Sequence, residues 1–368
     1  MPGNKSATSI ILLCVLLCSP LCAQTPSRIE PRSLPIAVLQ GASPSADNEV
    51  AESDSQPARA FRITVRHLFE EEKFDDLEAI ATKVRSQKER FRGGAWKLNV
   101  FYTTIQGPGS LTSTDAVWAA HMERLQRWMS AKPESITPRV ALAQAYLRFA
   151  WKARGNGTSD TVTSDGWRLF GDRVEQAKET LEKAETVSTK DPQWYREMQT
   201  VALAQGWGRG QTDDLLQKAS DLEPNYFYFY SAHANYLLPK WYGKPGDAEK
   251  FAQMIADRLG GSDGDLVYFE IALIDNCCKA KQQMPNLSWD RVKQGFAALE
   301  QLYGSTNHEL NAIAFMAARQ KDSEFGQQIF TRIGDNWDEA VWGSKVKFDK
   351  SRVSLTLSSD TKIEGSGQ

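Results

Sequence analysis

Residues able to do chemistry are few in this chain, and their spacing restricts what that chemistry is. There are four histidines, His67, His121, His233 and His308. His67 and Glu71 stand four apart, on one face of a helix, where a metal site would use them. No HExxH accompanies the pair, and a solvated helix face explains it as well. His308–Glu309 stands at a helix start and reads as capping chemistry. The segment "GGSDGD" (260–265) offers oxygen ligands. It lacks the ordered acids and closing Glu of a calcium loop and reads as a turn. "GWGRGQ" (206–211) is glycine-rich but follows a helix rather than a strand, so a helix–helix turn is expected there. No phosphate loop, dinucleotide fingerprint or G-x-S-x-G elbow occurs. Cys277–Cys278 is either a redox pair or two small apolar residues near a helix end. The motifs therefore assign no catalytic residue, no metal site and no cofactor.

Binding chemistry is better represented. The chain has eleven tryptophans, and a tryptophan presented to solvent stacks on a sugar or grips a peptide. "FAWKARGNGTSDTVTSDGWRLF" (149–170) breaks two helical runs with a dozen small and polar residues. Gly155, Asn156 and Gly157 end the first run, and Thr163, Ser164 and Asp165 start the second. Those roles leave Arg154, Asp160 and the loop's length unexplained. One reading places the loop against a ligand, with Arg154 as a fixed positive fork and Trp151 or Trp167 as an apolar wall. The other pairs Arg154 with Asp160 to hold the loop on its own helices. Trp241 and Tyr242, in "LLPKWYGKPGD", lie between prolines and glycines. They are either an exposed aromatic platform or a plug at the end of a helix pair.

These residues must be positioned by helices, because almost every periodic segment is helical. Trp167, Phe170, Val174, Ala177, Leu181 and Ala184 recur at spacings of three and four and form one apolar stripe. Arg168, Asp172, Glu175, Lys178, Glu179, Glu182 and Lys183 occupy the opposite face, and Asp165 is the expected N-cap. Trp289, Val292, Phe296, Leu299 and Leu302 make a second stripe, capped by Ser288. Residues 140–151 are apolar on nearly all sides, as in a helix sandwiched between neighbours. Gly and Pro clusters at 93–94, 107–109, 191–192, 224, 243–246 and 260–264 separate the helices by short connections, which favours antiparallel neighbours.

The ends read differently. Residues 1–23 have a lysine, a short apolar core and a small-residue exit at Ala23, the form of a secretory signal peptide. Cys14, Cys18 and Cys22 raise lipoprotein anchoring as a lesser alternative, but a leucine precedes each. Residues 24–60 read as a disordered linker, residues 61–345 as the folded domain and residues 346–368 as a polar tail holding at most one short strand (Val353, Leu355, Leu357). Charge is balanced, 44 Lys+Arg against 46 Asp+Glu, which gives no general drive toward nucleic acid. No membrane span is expected in the mature chain. Export would place the protein in the periplasm or outside the cell, stabilised by packing rather than disulfides.

Two resemblances sharpen this. Leu216, Ala219 and Pro224; Ala177, Leu181 and Ala184; Tyr230, His233 and Ala234; and Leu310, Ile313, Ala314, Ala317, Gly326 and Phe330 resemble the large-large-small pattern of tetratricopeptide (TPR) helix pairs. The stretches "WKARGNGTSDTVTSDGW", "QWYREMQTVALAQGW" and "ANYLLPKWYGKPGD" are similar to a bacterial family, domain of unknown function 4034. That likeness implies a helical exported or envelope protein and brings no catalytic assignment. The expected fold is all-α, with antiparallel helix pairs stacked as a TPR-like α-solenoid. The expected function is a protein- or peptide-interaction module, and the alternative is an envelope carbohydrate-binding protein or hydrolase.

Overall fold

The structure, a computed structural model, describes residues 56–155, 159–276 and 284–364, with side chains through 355. The described residues are helical throughout, and strand pairing among them amounts to a single bridge between Arg90 and Trp96. The helices are α1 (Gln56–Glu70), α2 (Phe74–Gln87), α3 (Lys97–Thr104), α4 (Asp115–Ala131), α5 (Thr137–Arg154), α6 (Ser164–Ala184), α7 (Pro192–Gln205) and α8 (Arg209–Leu222). They continue as α9 (Tyr228–Tyr236), α10 (Asp247–Leu259), α11 (Gly261–Ala272), α12 (Trp289–Tyr303), α13 (Asn307–Gln320), α14 (Ser323–Ile333), α15 (Glu339–Trp342) and α16 (Lys345–Glu364). Residues 1–23, read as a signal peptide, most of residues 24–60, read as a linker, and Cys277–Cys278 lie outside the described residues.

Consecutive helices are neighbours, through short connections for α4 with α5, α7 with α8, α10 with α11 and α13 with α14, and through longer ones for α5 with α6 and α11 with α12. Alternate helices also pack, α5 on α7, α7 on α9 and α9 on α11. The result is two layers of antiparallel helices, with α5, α7, α9 and α11 stacked in one of them. This is the all-α array of helix pairs that the periodicity predicts. Helix α5 is apolar all round because α4, α6 and α7 surround it. On α6, Phe170, Val174, Ala177, Leu181 and Ala184 are buried as a stripe, and Trp167 is half-buried.

Two local expectations change. The N-cap of α6 is Thr163, in extended backbone, whose hydroxyl accepts from Gly166 N at 3.0 Å. Asp165 falls one residue inside the helix and pairs with Arg168 across the surface instead. Ser288 caps α12 as expected, accepting from Arg291 N at 3.3 Å, although Leu302 at the end of that stripe is exposed.

The larger corrections are at the ends. Helix α1 begins at Gln56, inside the stretch read as linker, and buries Ala58. Residues 346–364 form neither a loose tail nor a strand but most of α16. Alternation at Val353, Leu355 and Leu357 suggests a strand, but Phe348 and Leu355 stand seven apart, two helical turns, and both are buried. Leu355 packs over Gly326 of α14, so tertiary contact selects the helix.

Helices α11 and α12 approach most closely at Gly295. A Cβ there would lie 2.2 Å from Asp265 O and 2.7 Å from Phe269 Cβ. Backbone on one side cannot yield as a side chain would, so Gly295→Ala must push the helices apart. We expect a loss of about 1–3 kcal/mol in urea unfolding. Unchanged stability would mean that the contact is looser than described.

Candidate functional site

The first determinant of the site is a crossing segment. Residues 88–104, a loop followed by α3, run across the starts of several array helices. Trp96 N donates to Tyr228 Oη (3.2 Å) and Trp96 Nε1 to Asn225 O (3.2 Å). Asn99 Nδ2 reaches Gln193 Oε1 at 3.3 Å, and Gly93 N donates to Gly304 O at 2.8 Å. The segment is anchored by buried polar groups. Asp191 caps α7 through Oδ1 to Gln193 N (2.8 Å), and its Oδ2 accepts from Arg85 Nε (2.8 Å) and Tyr102 Oη (2.6 Å). Arg85 also donates to Thr137 Oγ1 (2.9 Å), at the start of α5. Burial disfavours the Arg85 charge, but Asp191 outweighs it and holds the guanidinium pKa above its ordinary value. Glu197 accepts from Gln193 (2.7 Å) and Gln144 (3.0 Å). Burial raises its carboxyl pKa despite those bonds.

Where the crossing loop meets α9, α11 and α13, half-buried charged and aromatic groups gather in one cluster, hereafter the recess. Arg90 is held by faces and carbonyls rather than by a carboxylate. Its Cζ lies 4.1 Å from the Trp96 ring centroid and 5.2 Å from that of Tyr303, and Nη2 donates to Asn225 O at 2.9 Å. Burial lowers its pKa. Glu270 of α11 faces the same space. It forms no hydrogen bond or ion pair among the described residues, yet it is only partly exposed. Burial first, and then the nearby Glu309 carboxylate, push its pKa up to about 8 against the opposing pull of Arg90 and His308. Glu309 closes the capping box of α13 by accepting from Thr306 N at 2.7 Å. A Cβ at Gly93 would come within 2.9 Å of Glu309 Oε1, and the residue's φ of +81° also favours glycine.

His308 completes the recess. Its Nδ1 donates to Asp338 Oδ2 at 2.8 Å. The side chain keeps 48 % of its surface accessible although protein crowds it from several sides. Crowding disfavours its charge, but the bond to Asp338 prevails and the imidazole pKa is raised. Asp338 is itself fixed from behind. Its Oδ1 accepts from Ala340 N (2.8 Å), and its own N donates to Asn311 Oδ1 (3.1 Å). Asn311 is fully buried and also accepts from Trp342 Nε1 at 2.8 Å. The recess therefore presents a fixed imidazole, a carboxyl whose pKa is raised and which has no hydrogen-bond partner among the described residues, a second carboxylate and an aromatic-bound guanidinium. Such a set can accept a cation or exchange a proton with it.

The residues singled out in the sequence lie elsewhere. Trp151, Arg154, Trp167 and Trp241 do come together, with Trp151 and Trp241 rings perpendicular at 6.1 Å and the Arg154 guanidinium 5.3 Å from the Trp167 centroid. They form packed interior rather than an open wall, since Arg154, Trp151 and Trp241 are 3 %, 9 % and 5 % exposed. Burial lowers the Arg154 pKa. Trp241 is thus a plug rather than a platform, because Trp151 covers it. Tyr242 is partly exposed, but its hydroxyl donates to Leu203 O at 3.1 Å. Asp160 is exposed on a short 3-10 turn, Ser159–Thr161. His67 pairs with Glu71 at 3.4 Å on an exposed helix face.

Sequence reading missed Glu270, Arg90 and the His308–Asp338 pair. Glu270 did carry a signal, as the lone charge in the apolar run "LVYFEIALI" (266–274). Arg90 and Asp338 carried none, because their roles depend on neighbours far away in sequence.

No curated protein and no solved structure matches the chain. Arg85, Arg90, Trp96, Tyr102 and Asp191, which hold the crossing segment in place, all fall within residues 61–210. Over that stretch the chain matches the family described as Domain of unknown function (DUF4034).

Proposed function

We propose that this protein is an exported interaction module of the cell envelope, and that the Glu270 recess receives a basic side chain of a protein or peptide partner. The observation that carries the reading is Glu270 itself, a carboxyl acceptor without a partner, crowded by protein and beside a second carboxylate. An ammonium seated there would satisfy both, and the Tyr228 and Tyr303 rings would flank its apolar stem. The form of residues 1–23 supports export. A two-layer array of helix pairs suits a macromolecular partner. The carbohydrate-binding or hydrolytic alternative leans on exposed tryptophans, and Trp151 and Trp241 are buried.

Proton linkage tests the reading. Glu270 holds its proton at pH 7 in the free protein, and a neighbouring cation favours the carboxylate. Binding of the tripeptide Gly-Lys-Gly is expected to release a fraction of a proton approaching about one, read by calorimetry in buffers of different ionisation enthalpy. The norleucine analogue should release none. Crosslinking in the envelope should then enrich a protein with the wild type that Glu270→Gln fails to enrich. Binding without proton release, together with an unchanged envelope partner for the variant, would overturn the assignment.

A further inference from the structure

A second feature lies apart from the recess, between α1, α4 and the loop that follows α3. It is a groove of about 480 Å³ lined by Arg66 and Arg124, with Phe69, Val117 and Ala120 among its apolar walls. Neither guanidinium is saturated. Arg66 makes one long bond, from Nη2 to Thr104 O at 3.4 Å. Arg124 lies against the Phe69 ring, Cζ 5.4 Å from its centroid, and its Nε is buried without a hydrogen-bond partner. Arg124 shares an ion pair with Glu72, whose Oε1 lies 3.6 Å from Nε, but that carboxylate is bonded by Arg127, through Nε at 3.2 Å. Both arginines act on one point, since both oppose a charge on His121 at the groove floor. His121 Nε2 bonds to Ile105 O at 2.9 Å. Burial, with the two guanidiniums adding to it, draws its pKa down to about 4, so the imidazole is neutral and competes for no anion. Glu70 is the acid lining the groove.

We propose that this groove binds a small carboxylate ligand with an apolar body. Two guanidinium forks with unused donors match the planar, bidentate geometry of a carboxylate. With Glu70 alongside and Glu72 shared between Arg124 and Arg127, the net charge is a single positive one, which suits a monoanion better than a phosphate dianion. Phe69, Val117 and Ala120 supply a surface that a bare inorganic ion would leave uncovered. The site is independent of the Glu270 recess and of the proposal made for it.

The probe is N-acetylphenylalanine, compared with its primary amide by isothermal titration calorimetry on the full chain at pH 7. The acid is expected to bind and the amide to bind at least about tenfold more weakly. Arg66→Gln and Arg124→Gln should each weaken the acid by about tenfold or more at unchanged helicity, and Lys132→Gln, a surface cation just past the end of α4 that pairs with Asp75, should not. If Arg124→Gln fails to fold, Arg66→Gln decides alone. Equal binding of acid and amide, no binding of the acid, or unaltered binding by a folded Arg66→Gln variant would overturn the proposal. Displacement of the probe by an equal concentration of inorganic phosphate would overturn the carboxylate assignment.

Discussion

Replacing Asp191 by alanine is expected to destabilise the protein by about 3–5 kcal/mol, among the largest effects of any single substitution in the chain. One carboxylate is the acceptor for Arg85 and Tyr102 and also the N-cap of α7. Removing it leaves a buried guanidinium without its counter-ion, a buried phenol without its acceptor, and an uncapped helix start. The Asp191→Ala/Arg85→Met double variant should regain part of the loss, because the orphaned charge is gone. Urea unfolding of wild type, single and double variants measures both steps. A loss below about 1 kcal/mol for Asp191→Ala, or no recovery in the double variant, would show that this network does not hold the crossing segment.

The second large effect concerns Glu270 and has a defined pH signature. In the folded protein Glu270 keeps its proton up to about pH 8, whereas an unfolded glutamate releases it near 4.5. Between those values the folded state binds more protons, so the wild type loses stability as pH rises through that window. Glutamine has no proton to lose. Glu270→Gln should therefore match the wild type near pH 4.5 and exceed it by about 2 kcal/mol at pH 9, a figure reduced for the group's partial exposure to solvent. His121 and His233 impose the opposite slope on both proteins. Burial draws each imidazole down to about 4, so their contribution is present above pH 6.5 and is lost as pH falls toward 4. That slope is common to both proteins and cancels in the difference. Parallel stability curves between pH 5 and 9 would exclude the titration assigned to Glu270.

Local physics made the array legible in sequence. The α6 stripe, the Ser288 cap, the buried character of α5 and most of the glycine-marked connections follow from periodicity and turn chemistry within a dozen residues, whereas "GGSDGD", read as a turn, is the start of α11, with Gly260 alone as the break after α10. Failures came where distant packing decides. The period-two signal at 353–357 yields to α16 because Gly326 and the aromatic residues near Phe348 offer a helical surface to cover. Arg154 and the tryptophans beside it looked like a binding wall because a one-dimensional reading sees a polar loop and cannot see Trp241 arriving from ninety residues further on. The recess was hidden for the same reason, since its groups come from positions 90, 270, 308 and 338. Only Glu270 departs from its local pattern enough to be noticed.

The crossing of residues 88–104 over the array carries a consequence for how the molecule comes apart. A stack of helix pairs with nearest-neighbour contacts alone behaves as a one-dimensional chain, fraying from its ends and tolerating the loss of terminal units. Here the second and third helices and the loop between them reach forward to residues 137, 191, 225 and 305, so an early part of the chain is a latch across units synthesised much later. Truncation from the C-terminus strips partners from Trp96 and Arg92, and truncation from the N-terminus uncovers the starts of α7 and α9. Unfolding of the described region should accordingly be cooperative over its whole length, and the segment 61–210 in isolation would carry an unsatisfied, aromatic-rich edge where the later helices belong.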